Sequence, residues 1–286
     1  MSFSVVVMKK ERDRTSFESL YPVKRAYRNT KVGHTGTLDR FATGLMIVLT
    51  GEATRLNPLF SGYGKSYRAC LEFGRTTDTL DSEGQVTLTG GRIPSLEEIR
   101  AVLPSFLGIQ LQQPPVYSAI HVNGKRAYKE ARKGNEVEMP LRQIEITDIS
   151  IISYEAPFLV FDVSVSKGTY IRALARDIAS RLDTVGHLRE LERYRVGPFT
   201  YSSLTHIPST EAETEAAVSL ACRERIDYDP AFLGRVKNGC FLPEGIISAT
   251  GSGDGYYRLY SEDRFIGIIE KRGGCRVAAL TERENL

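Results

Sequence analysis

The stretch Lys31–Leu56, KVGHTGTLDRFATGLMIVLTGEATRL, sets one acid, Asp39, between a Gly/Thr-rich turn and a branched apolar run that closes at Gly51. The run MIVLTG reads as a buried strand ended by its glycine. The turn before it has the small residues that suit a phosphate, but it lacks the Gly-Lys-Ser/Thr ending of a nucleotide loop, which argues against nucleotide hydrolysis. No second acid, cysteine or serine–histidine pair stands beside Asp39. Taken alone, Asp39 reads as a cap on the helical turn RFATG.

Working outward, SFSVVVM predicts a short buried strand and TSFESLYPVKRAYRN a helix capped by Thr15 or Ser16. The segment EATRLNPLFSGY separates MIVLTG from GKSYRACLEFG, where Tyr67, Ala69, Leu71 and Phe73 alternate with polar partners as in a half-buried strand. In PSLEEIRAVLPSFLG, Ser95 and Glu98 form a capping box for a helix that Pro104 should end. EVEMPLRQIEITDISIISYE and FLVFDVSVSKG predict further strands. In TYIRALARDIASRL, Ile171, Leu174, Ala175, Ile178 and Leu182 recur at helical spacing. STEAETEAAVSLACRERIDYD is acidic and weakly periodic, and reads as a linker or surface helix. YYRLY, FIGIIEK and RVAALTE then predict a three-strand meander.

A length of 286 residues accommodates one large domain and a small appendage, and 41% apolar content supplies a core. No run approaches the ~18 apolar residues of a membrane span, and FSVVVM passes directly into KKERDR instead of a cleavage site, so a cytoplasmic protein is expected. Cys70, Cys222, Cys240 and Cys275 lie far apart with no zinc-type spacing, so free thiols and no metal are expected. Net charge is only +3, yet Met1 to Cys70 holds twelve Lys/Arg against five Asp/Glu. That local excess fits a polyanionic partner, because such cations displace counterions from phosphates.

Four motifs, taken together, resemble the TruB family, the tRNA pseudouridine-55 synthases. They are GHTGTLDRFATGLMIVLTGEATRL, GKSYRACLEFGRTTDTLDSEG, QQPPVYSAIHVNGKRAYKEARKG and VSVSKGTYIRALARDIASRL continuing to GHLRELERYRVGPF. They occur in family order across roughly Val5 to Phe199. The resemblance implies Asp39 as the catalytic acid, Tyr67 as the platform stacked on the target base, and Arg172 as the arginine that pairs with the catalytic aspartate. It also implies Asp81 as a supporting acid, and His34 as the side chain that fills the space left by an everted base. Thr37, Arg40, Lys65 and Tyr170 are expected to contact substrate or RNA. The implied chemistry needs no metal or redox cofactor, and a single carboxylate suffices, acting either as nucleophile or as base.

The implied fold is α+β: a central mixed, largely antiparallel sheet flanked by helices, the pseudouridine synthase fold, over residues 1–230. A small β domain over 231–286, resembling a PUA-type RNA-binding domain, would follow. The partner would be the T arm of tRNA, and the protein a monomer. Three departures from the family pattern bear on activity. KERDRTS lacks the usual Lys-Pro and glycine, Arg40 stands where proline is usual, and Glu192 where a basic residue is common. They keep a second reading open, a catalytically weakened tRNA-binding or tRNA-folding module of the same family.

Overall fold

The structure, a computed structural model, describes residues 3–118, 121–122, 125–127, 137–227, 236, 241–242, 253–261, 263–272 and 274–281. In chain order these form β1 (Phe3–Lys10), α1 (Tyr21–Ala26), β2 (Val32–His34), β3 (Thr43–Gly51), α2 (Asn57–Ser61), β4 (Lys65–Phe73), β5 (Arg75–Thr77), β6 (Val86–Thr89), α3 (Leu96–Val102) and β7 (Gly108–Gln112). There follow β8 (His121–Val122), β9 (Lys125–Arg126), β10 (Arg142–Glu155), β11 (Phe158–Val165), α4 (Ile171–Arg181) and β12 (Gly186–Val196). The remainder forms α5 (Glu211–Ala221), β13 (Arg223–Asp227), β14 (Phe241–Leu242), β15 (Gly255–Ser261), β16 (Arg264–Lys271) and β17 (Cys275–Leu280).

Two compact units share the chain: Met1–Asp39, Leu45–Tyr63 and Gly197–Leu286 form one, Arg40–Gly44 and Gly64–Val196 the other. The second unit is built on a mixed sheet. The start of β3 pairs in parallel with β12, and β12–β4–β11–β10–β7 follow as antiparallel neighbours. In GKSYRACLEFG the residues Tyr67, Ala69, Leu71 and Phe73 are buried and Arg68 is exposed, but Ser66 and Glu72 are buried as well, so the expected half-buried alternation holds on one face only. Helix α4 lies over that buried face, and Gly186 fits closely there: a Cβ on it would come within 2.7 Å of the Leu71 terminal methyl and 3.1 Å of Ala179. Gly44, at φ +116°, plays the same part where β3 meets β12, because a Cβ there would sit 2.3 Å from the Arg193 carbonyl oxygen.

In the first unit β2 pairs antiparallel with β3, Val32 opposite Thr50 and His34 opposite Val48. Val6, Leu20, Val23, Tyr27, Met46 and Val48 pack into a core there. The helix expected over TSFESLYPVKRAYRN is interrupted. A 3₁₀ turn over Glu18–Leu20 precedes α1, because Pro22 has no N–H to continue the ladder. Thr15 exchanges hydrogen bonds with Glu18 in the manner of a capping box, whereas Ser16 caps nothing. The acidic segment read as linker or surface helix is α5, with a capping box from Thr210 and Glu213. Its continuation RERID, not read as a strand, is β13.

The expected meander is present as β15–β16–β17, antiparallel throughout. β13 adds in parallel to β15 and β14 antiparallel to β17, giving five strands around Ile226, Tyr257, Leu259, Ile266, Ile269 and Leu280. The boundary expected at 230/231 and Cys240 lie outside the described residues, as does much of the motif beginning at Gln112. Cys70, Cys222 and Cys275 are free thiols. Among the described residues no helix is long and apolar enough to cross a membrane.

Candidate active site

In the first unit, β2 delivers the chain into the GHTGTLD turn. His34 is half-buried, and its carbonyl accepts a hydrogen bond from Asn57 Nδ2 at 3.1 Å. Thr35 continues the pairing by donating its N–H to the Ile47 carbonyl at 3.0 Å. Thr37 is exposed, Leu38 is buried, and Asp39 is half-buried. The Leu38 backbone is fastened by Ser16, whose hydroxyl accepts from the Leu38 N–H at 2.8 Å and donates to the Leu38 carbonyl at 2.9 Å. This contact joins residues 22 apart, and it gives Ser16 a role different from the expected helix cap.

The second unit gathers Arg172, Asp81, Tyr67, Tyr170, Lys65 and Arg40. Arg172, in the first turn of α4, is 5% exposed and Asp81 is 4% exposed, and their Nη1 and Oδ2 atoms are 3.2 Å apart. Arg172 also donates to the carbonyls of Thr79 at 2.8 Å and Tyr117 at 3.0 Å. The other Asp81 oxygen accepts from the Thr79 hydroxyl at 2.7 Å and the Glu83 N–H at 3.1 Å. Additional hydrogen bonds of this kind offset part of the cost of burying an ion pair. Asp81, expected as a supporting acid, is thus the carboxylate that neutralises Arg172 within this unit.

Tyr170 precedes α4 in extended conformation, and Gln112 holds it by donating to its carbonyl at 3.2 Å and accepting from its N–H at 2.9 Å. Tyr67 is buried in β4, directly opposite Arg193 of β12. Opposed residues share a face of the sheet, so the aromatic ring and the buried Arg193 guanidinium lie on one side. Lys65, two residues earlier in β4, is on that side too. Burial, with help from Arg193 and Lys167, pulls its ammonium down to about 8. Sequence reasoning did not single out Arg193, and it read Ser16 only as a candidate helix cap. The place each takes comes from contacts across the fold, which no local pattern carries.

The two departures that fall in this unit have local explanations. Arg40 is exposed and its Nε lies 3.8 Å from Glu83. Glu192 stands opposite Arg68 in the β12–β4 register, so an acid at this place complements a cation across the strands. Among the described residues, no group of three or more His, Cys, Asp or Glu side chains could hold a metal ion.

Known structures share this architecture. One, a structure of an H/ACA RNP bound to a substrate RNA containing 2′-deoxyuridine, superposes with a TM-score of 0.70, covering 99% of this chain and 86% of that one. At 19% identity the likeness is one of fold. The model of the TruB family pseudouridylate synthase N-terminal domain matches residues 24–171, which places the chain among the pseudouridylate synthases. The tRNA pseudouridine synthase B of Borreliella afzelii is 38% identical over 85% of this chain and 87% of its own length. That of Clostridium tetani is 36% identical over 96% of this chain and 98% of its own. The chain belongs to the TruB family.

Proposed function

We propose that this protein is a tRNA pseudouridine synthase that isomerises one uridine, at position 55 in the T arm, acting as a cytoplasmic monomer. The reading is carried by likeness to tRNA pseudouridine synthase B along nearly the whole chain, with Asp39 inside the span that the family model matches. In this isomerisation the N1–C1′ bond breaks and a C5–C1′ bond forms, while one proton leaves C5 and one arrives at N1. Oxidation and hydrolysis are both absent, so the chemistry calls for no metal or redox cofactor.

Asp39 supplies the carboxylate that attacks the nucleoside or removes a sugar proton. Its half-buried position suits a group that must reach substrate and still shed water. Burial alone would favour the neutral acid, which a guanidinium brought beside it would oppose. Arg172 has the orienting role, itself held by Asp81 and two carbonyls. Tyr67 stacks on the detached uracil, a contact of about 1–3 kcal/mol that tolerates in-plane rotation. His34 occupies the gap left by the everted base, whose extrusion costs a few kcal/mol. Thr37, Arg40, Lys65 and Tyr170 contact RNA. The small C-terminal sheet adds a PUA-like RNA-binding element over 231–286, after a catalytic domain over 1–230.

The test is to map pseudouridine in a tRNA transcript after incubation with wild-type and Asp39→Asn protein. Conversion is expected with the wild type alone, at a rate unaffected by chelators, while tRNA affinity stays within about twofold because phosphate contacts dominate it. A tRNA-folding module without turnover is the second reading, favoured by Arg40 in place of proline. It predicts binding with no pseudouridine from either protein. The exposed Arg40–Glu83 pair, worth at most about 1 kcal/mol, leaves Arg40 able to exchange partners when RNA arrives.

A further inference from the structure

The turn that carries Asp39 is held at both ends by side chains from distant parts of the chain. At its start Asn57, the first residue of α2, donates to the His34 carbonyl at 3.1 Å. At its end the Ser16 hydroxyl engages both polar groups of Leu38, at 2.8 Å and 2.9 Å. A hydroxyl is the smallest side chain that donates and accepts at one atom, so Ser16 serves both the N–H and the carbonyl of Leu38. Ser16 is 3% exposed, so both hydrogen bonds are shielded from bulk water. With both groups of Leu38 fixed, the direction in which the chain leaves toward Asp39 is fixed as well.

We propose that Ser16 and Asn57 are positioning residues that divide this turn between two tasks. Ser16 sets the carboxylate of Asp39 for the chemical step, and Asn57 sets His34 for engagement of the everted RNA. The proposal rests on the roles given above to Asp39 and His34. It accounts for a buried hydroxyl in KERDRTS that caps no helix.

The experiment uses the full chain and four proteins: wild type, Ser16→Ala, Ser16→Thr and Asn57→Ala. For each, the single-turnover rate of pseudouridine formation at saturating enzyme, the tRNA Kd and hydrogen exchange at the Leu38 amide are measured. Displacing a reacting group by about 1 Å costs on the order of 100-fold, so Ser16→Ala should lose about 10- to 100-fold in rate with its Kd within about twofold of wild type. Its Leu38 amide should exchange at least about tenfold faster, having lost its buried acceptor. Ser16→Thr, which keeps the hydroxyl, should recover most of the rate. Asn57→Ala should show the opposite split, with Kd weakened about three- to tenfold and a smaller loss of rate, because eversion is part of binding.

Wild-type rate in Ser16→Ala would overturn the proposal, and so would equal losses of rate and affinity in both alanine variants. Should the wild type form no pseudouridine, the proposed function falls. The exchange measurement still decides the brace, and unchanged protection of Leu38 in Ser16→Ala would remove it.

Discussion

Replacing Asp81 by asparagine tests the buried pair that holds Arg172. The substitution preserves shape and leaves one carbonyl oxygen to accept from the Thr79 hydroxyl and the Glu83 N–H, contacts now at 2.7 Å and 3.1 Å. It turns the oxygen that lies 3.2 Å from Arg172 into an NH₂ group, setting donor against donor. Removing one partner from a buried pair costs about 3–5 kcal/mol, since the other charge stays buried without compensation. The carbonyls of Thr79 and Tyr117 still accept from Arg172, which puts the expectation at the lower end, about 3 kcal/mol. For a protein of this size each kcal/mol shifts the thermal midpoint by about 2–4 °C, so Asp81→Asn should melt roughly 6–12 °C below wild type. Arg172→Met should also destabilise, and the double variant should fall well short of the sum, because it leaves no lone charge. Calorimetry on the four proteins measures this coupling, and a single-turnover assay should show a slower reaction in Asp81→Asn. A melting point within about 1 °C of wild type would refute the reasoning, for a buried and uncompensated guanidinium cannot be that cheap.

Further outcomes follow from other parts of the structure. Burial, Arg193 and Lys167 lower the Lys65 ammonium from 10.5 to about 8. The unfolded chain therefore keeps this proton up to a higher pH than the folded one does, so this group's destabilising contribution is fully present below about pH 8 and relieved as pH rises toward 10.5. As a phosphate contact, Lys65 predicts the reverse trend for binding: tRNA affinity should weaken as pH passes through 8, and Lys65→Met should flatten that limb in filter-binding titrations. Gly44→Ala should lower the thermal midpoint strongly, given φ +116° and a Cβ only 2.3 Å from the Arg193 carbonyl. Gly33→Ala, with nothing within 4 Å, should melt close to wild type.

Much of the fold is written in local patterns. Alternation in GKSYRACLEFG gives β4, the branched run gives β3, and the 3.6-residue recurrence in TYIRALARDIASRL gives α4. The Ser95–Glu98 box is visible as spacing and is present as drawn. The equivalent Thr210–Glu213 spacing was visible too, but acidic composition obscured it. β13 could not be read because RERID alternates only in relation to β15, its partner more than 30 residues onward. The same division holds at the site. Residue types and their order carry the resemblance that picks out Asp39, Tyr67 and Arg172. The carbonyls of Thr79 and Tyr117 that hold Arg172, and the Ser16 hydroxyl on Leu38, are contacts between segments. No periodicity within either segment encodes them.

The discontinuous first unit has a consequence for how the chain is made. β1 is fastened to Thr205, whose N–H donates to the Val7 carbonyl at 3.0 Å and whose hydroxyl accepts from the Val7 N–H at 3.2 Å, and Phe3 meets Phe265 edge-on at 6.0 Å. On the ribosome, the first strand to emerge meets its sheet neighbour β3 early, but the contacts with Thr205 and Phe265 that complete its surroundings wait for residues translated nearly two hundred positions later, or more. The sheet drawn mostly from residues 64–196 finds its neighbours far sooner. Synthesis thus leaves the Asp39-bearing unit incomplete longest, and a nascent chain released early would lack the segments that finish it.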